Sequence, residues 1–115
     1  MTAPAEGPPG VAEVVLCGEL DIATLDDAER QVEAAAAAAP PLLVIDLSGL
    51  TFVDSSGVRL VLLADDRARS AGRRLAVRLG TGHALRVFQA LGLLDKLDVL
   101  PARPAEGAAH RLAPG

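Results

Sequence analysis

Two short polar segments interrupt an otherwise aliphatic chain of 115 residues, and both hold groups that could bind a partner or carry a phosphoryl group. In Asp54-Ser55-Ser56-Gly57 two hydroxyls stand behind a carboxylate and ahead of a glycine, where an apolar segment with helical spacing begins. Asp54 or Ser55 can cap that helix, because these residue types lead the preferences at N-caps. A serine there is also a candidate phosphoacceptor. A phosphoryl group adds roughly −1.5 to −2 charge at a helix start, where the dipole and free N–H groups accept it. Arg59, one turn beyond Ser55, can pair with such a phosphate or stand as a solvated charge. The second segment, Gly18-Glu19-Leu20-Asp21, follows a β-prone run and places two carboxylates in a loop.

Other chemistry finds little support. A nucleophile elbow needs glycine two residues before its serine, and that position is Val53. The histidines, His83 and His110, read as surface residues. Gly80-Thr81-Gly82 is too short for a dinucleotide fingerprint, and no group of residues has metal-ligand spacing, so neither cofactor nor metal is expected. The single cysteine, Cys17, sits in an apolar run and reads as a small buried hydrophobe.

Composition narrows the partners. With 50% hydrophobic and 23% charged residues the chain is globular, and at this length it forms one domain. A net charge of −4 gives no basic field, and two Phe without Tyr or Trp give no stacking platform, so nucleic acid is not an expected partner. The N-terminus lacks the charged and apolar regions of a secretory signal. The longest uncharged apolar run, Ala34 to Ile45, is twelve residues broken by Pro40 and Pro41, against roughly twenty for a membrane helix. These features lead us to expect a cytoplasmic protein without membrane insertion.

The segments between the motifs read as alternating strands and helices. Residues 1–10, rich in Pro and Gly, read as a flexible arm. A first strand is expected at about 13–18, then a helix capped by the Thr24 hydroxyl and ended by Pro40 and Pro41. Leu42 to Leu47 is a continuous apolar run, the pattern of a strand buried on both faces, with a turn at Ser48 and Gly49. A second helix runs from Val58 to Ala71 and closes at Gly72. Leu75, Val77 and Leu79 alternate with Arg74, Ala76 and Arg78, which suggests a strand near a sheet edge. Thr81 would cap a third helix with Leu85, Phe88 and Leu91 or Gly92 inward, and Leu97, Val99 and Leu100 make a last strand. Arg67, Arg69, Arg73 and Arg74 read as a solvated helix end rather than a surface for an acidic partner. The order implies an α/β domain.

Taken together, Gly18-Glu19-Leu20-Asp21, the strand ending Asp46-Leu47-Ser48, then Phe52-Val53-Asp54-Ser55-Ser56-Gly57, and Ala90-Leu91-Gly92-Leu93 resemble the STAS domain of bacterial anti-sigma factor antagonists. The resemblance implies a STAS domain over residues 11–101 and a weakly ordered tail over 102–115. Its mostly parallel sheet would have four to five strands with three to four helices. The additional N-terminal strand and the C-terminal helix usual in that family have no good candidate here, which leaves an edge strand able to pair with a second copy. A monomer or weak dimer follows.

The resemblance further implies a partner switch without enzymatic activity of the chain's own. Ser55 is then the residue phosphorylated by an anti-sigma factor that is itself a serine kinase, with Ser56 the runner-up. A protein serine phosphatase reverses the mark. Glu19, Asp21, Thr24, Asp54, Ser56, Gly57 and Arg59 would form the surface for the anti-sigma factor. The alternative is a STAS scaffold subunit of a stress-signalling or transporter-associated complex, in which the serine goes unused.

Overall fold

Strand and helix alternate through the computed structural model, which describes residues 10–102. The elements are β1 (Val11–Leu20), α1 (Leu25–Ala37), β2 (Leu42–Val53), α2 (Ser55–Ser70), β3 (Arg74–Arg78), α3 (His83–Ala90) and β4 (Asp98–Leu100). Strand order in the sheet follows chain order, β1-β2-β3-β4, and every pair is parallel. This is the α/β architecture expected, with four strands and three helices among the described residues. The arm expected at 1–10 and the tail expected at 102–115 lie outside the described residues, apart from Gly10 and residue 102.

Register explains the core. Val14, Ile45 and Val77 align across three strands and point to one face, as do Ala12, Leu43 and Leu75 one pair earlier. Ala28 and Val32 of α1, Val58, Leu60 and Val61 of α2, and Ala84 and Phe88 of α3 pack on that face in one apolar cluster. On the opposite face Val15, Asp46 and Arg78 align, and Arg78 Nε lies 3.8 Å from Asp46 and 4.0 Å from Glu13. An Arg78 Nη atom also donates to the Pro101 carbonyl at 2.9 Å.

Several boundaries differ from the sequence reading. The strand expected at 13–18 runs from Val11 to Leu20. No turn forms at Ser48 and Gly49; β2 continues to Val53 because the β1/β2 ladder absorbs two register shifts, between Val15 and Cys17 and between Gly18 and Glu19. All of Leu43 to Leu47 is buried, as a strand covered on both faces requires, and beyond it the buried positions fall three apart, at Leu47, Leu50 and Val53. β3 is interior rather than at an edge, since its arginines stand at its ends and Leu75, Ala76 and Val77 are all buried.

Helix ends also differ. α1 has no side-chain cap from Thr24, and α3 starts from Gly82, with no cap from Thr81. Leu91 is exposed, so α3 is anchored by Ala84 and Phe88. Gly72 does close α2: at φ 74° its N–H donates to Arg69 and that of Arg73 reaches back to Ala68. Three of the four arginines there are paired, Arg69 with Asp65, Arg67 with Glu33 and Arg74 with Asp98. Cys17 is exposed, because it faces away from the core that Leu16 enters.

Candidate functional site

Both polar segments meet at the carboxyl ends of β1 and β2, where functional loops of parallel sheets gather. Leu20 and Val53 form the last register pair, and the Asp54 N–H donates to the Leu20 carbonyl at 3.1 Å. Asp54 is extended (φ −106°, ψ −174°) and caps α2. Its Oδ1 accepts from the Ser56 N–H at 2.9 Å, the Gly57 N–H at 3.3 Å and the Ser56 hydroxyl at 2.6 Å. That hydroxyl bond does most to hold the Asp54 carboxyl below its ordinary value; desolvation opposes it, and the backbone amides of Gly57, Ser56 and Ile22 add to the lowering.

The two serines therefore differ. Ser56 is half-buried and its hydroxyl is engaged by Asp54. Ser55 is exposed, and its hydroxyl has no partner among the described residues. The structure also corrects one expectation from the sequence: the amides at the helix start are not free for a phosphate, since Asp54 occupies those of Ser56 and Gly57. Arg59, on the next turn, is exposed and forms no ion pair among the described residues.

The loop from Gly18 to Thr24 is fixed by its own hydrogen bonds. Gly18 takes φ 83°, a left-handed value suited to glycine, and its carbonyl accepts from the Thr51 hydroxyl at 3.2 Å. Asp21 Oδ1 accepts from the N–H groups of Ala23 and Thr24 at 3.0 and 3.2 Å. The Thr24 hydroxyl accepts from the Asp21 N–H at 3.0 Å and donates to the Glu19 carbonyl at 2.9 Å. Thr24 thus braces the loop instead of capping α1. Glu19 is exposed at its rim.

Two features of this end of the molecule escaped the sequence reading. Ile22 is 78% exposed at the crest of the braced loop. An aliphatic residue between Asp21 and Thr24 in a polar loop was the available signal. Phe52 is partly exposed and stacks on His83, with ring centroids 5.4 Å apart. His83 is accordingly half-buried rather than a surface residue, with a buried Nε2 that lacks a hydrogen-bond partner. The pairing joins positions far apart in sequence, which no local pattern reveals. His110 lies outside the described residues.

The sequence family described as "Mlab, STAS domain" matches residues 6–101. A Bordetella bronchiseptica protein assigned as an anti-sigma factor antagonist, BtrV, is 28% identical over 104 residues, 90% of each chain. The fold superposes on the crystal structure of an anti-sigma factor antagonist from Mycobacterium paratuberculosis with a TM-score of 0.76 and 25% identity, covering 95% of this chain and 91% of that one. It also superposes on the phosphorylated form of the Bacillus cell fate determinant SpoIIAA, with a TM-score of 0.66 and 23% identity over 96% and 97% of the two chains. On its sequence match and its fold, the chain belongs to the STAS-domain family.

Proposed function

We propose that the chain is an anti-sigma factor antagonist that binds an anti-sigma factor with Ser55 free and releases it when Ser55 is phosphorylated. The observation that carries this reading is the inequality of the two serines: Ser56 is held by Asp54, whereas the Ser55 hydroxyl stands exposed beside it. The Bordetella and Mycobacterium relatives are described as anti-sigma factor antagonists, and the Bacillus one is known in a phosphorylated form.

The chemistry of the switch follows from the charges present. A phosphoryl group on Ser55 brings roughly −1.5 to −2 charge next to Asp54, a carboxylate stabilised in its ionised form, with the Ser56 and Gly57 amides already taken. Glu19 and Asp21 add negative charge from the neighbouring loop, and Arg59 is the cation one turn away. An interface built for a neutral hydroxyl then pays desolvation and repulsion; a penalty of about 3 kcal/mol weakens binding over a hundredfold. Thr24, Asp54, Ser56 and Gly57 act as the frame, and Ser55, Glu19 and Arg59 face the partner. The kinase is the anti-sigma factor itself, a protein serine phosphatase restores the free form, and the chain contributes no catalytic residue.

The test combines intact-mass spectrometry and peptide mapping after incubation with ATP and the anti-sigma kinases of the host, followed by binding of the two forms. One phosphoryl group on Ser55 together with lost affinity is the expected result. Binding that is indifferent to phosphorylation, or no phosphorylation by any of these kinases, overturns the switch in favour of the scaffold role.

A further inference from the structure

At the opposite end of β2 from Ser55, α1 and α2 part over a cleft of about 80 Å³. Its floor is apolar, formed by Val32, Ala36, Leu43, Ala64 and Ala68, and its rim carries Arg67, Arg73 and Arg74 against one acid, Glu33. On a chain of net charge −4 this is a local reversal of sign. The pairing at the rim is weak or points elsewhere. Arg67 meets Glu33 only at 4.0 Å with both side chains largely exposed, an arrangement worth little in water. Arg74 pairs with Asp98, which does not line the cleft, and Arg73 has no ion pair among the described residues.

Size decides what such a cleft takes. Pockets for small organic ligands run to roughly 300–1,000 Å³, and an apolar cavity of roughly 150 Å³ holds one benzene ring. The present volume suits a single aliphatic side chain. We infer that this cleft docks an acidic segment of a protein partner, inserting one aliphatic side chain between α1 and α2 while flanking carboxylates meet Arg67 and Arg73. Guanidinium groups suit that task, since they pair carboxylates in a bidentate fork. The sequence reading treated these arginines as a solvated helix end; the apolar floor beneath them gives the alternative its support. The cleft adjoins Leu43 near the start of β2, roughly 30 Å along the strand from Val53, so its occupant leaves the Ser55 end open.

The experiment is an NMR titration of the full-length, ¹⁵N-labelled chain with the capped peptide Asp-Glu-Leu-Asp-Glu, alongside one with Ala in place of Leu and one with Lys in place of the acids. Saturable binding with Kd below about 1 mM, shifts centred on Val32, Ala36, Ala68 and Arg73, and at least about tenfold weaker binding of both control peptides are expected. Arg73→Glu, which changes the rim, and Ala68→Leu, which fills the floor, should each lose the peptide by about tenfold while Ser55 phosphorylation proceeds as before. Shifts scattered over the surface, equal binding of the alanine peptide, or no binding overturn the proposal. So does capture of a short free carboxylate such as hexanoate with no response to the peptide. The peptide titrations use no anti-sigma factor, so their failure leaves the Ser55 reading untouched.

Discussion

Gly57 lies directly against Leu20: a Cβ built at position 57 would fall 2.8 Å from Leu20 Cγ and 2.7 Å from Val53 Cγ2. The glycine is required by this approach and not by its backbone angles. Through it the first turn of α2 seats on the last paired residues of β1 and β2. Gly57→Ala must push that turn outward, and overpacking of this kind costs about 1–3 kcal/mol. Urea unfolding should show the loss, and anti-sigma factor binding should fall beyond what the lost stability explains.

Exchanging the two serines separates frame from switch. Ser56→Ala removes the hydroxyl bond to Asp54 and should lower stability by about 1 kcal/mol, with phosphate still mapping to Ser55. Ser55→Ala should leave stability nearly unchanged, retain anti-sigma factor binding and resist release by ATP. Intact mass and calorimetric binding of both variants check the pair.

Acid should loosen the site in a defined direction. Because the folded carboxyl of Asp54 titrates below its ordinary value of 3.8, its contribution to stability is complete above that value. The contribution is lost as pH falls through the lower folded value. Asn caps a helix about as well as Asp, so Asp54→Asn should match the wild type near neutrality and lack this acid-dependent part. Urea midpoints of the two proteins, alike above about pH 5, should separate toward pH 2, with the wild type falling below the Asn variant.

Ile22 offers an anchor for the partner at no cost to the fold. Its side chain is 78% exposed at the crest of a loop that Asp21 and Thr24 hold rigid. Ile22→Ser should leave the melting temperature within about 1–2 °C and weaken anti-sigma factor binding by about 1–2 kcal/mol, the scale of a buried interface residue. Calorimetric titration of the unphosphorylated form measures it.

How far the sequence carried the architecture depended on whether its signals were local. The continuous run Leu42 to Leu47, the glycine closing α2 and the Asp54 cap each declare themselves within a few residues, and each stands in the structure. The second half of β2 did not, because its buried positions at Leu50 and Val53 break the alternation that marks a strand. Thr24 misled for a related reason: a hydroxyl at a helix start has more than one partner to choose, and here the loop behind it won. The difference between Ser55 and Ser56 required the Asp54 side chain to be placed, and the arginine-rimmed cleft required two helices and a strand to converge.

The two shifts in the β1/β2 ladder bear on which genetic changes this protein can survive. Between its aligned ends, β2 carries two residues more than β1, so that Val14 faces Ile45 at one end and Leu20 faces Val53 at the other. Loss or gain of one codon between Leu47 and Leu50 would reverse the side on which Leu50 and Val53 emerge, turning Asp54 and the serines away from the loop at Glu19. A substitution at an exposed position of this ribbon such as Thr51 keeps that alignment; a change in its length does not.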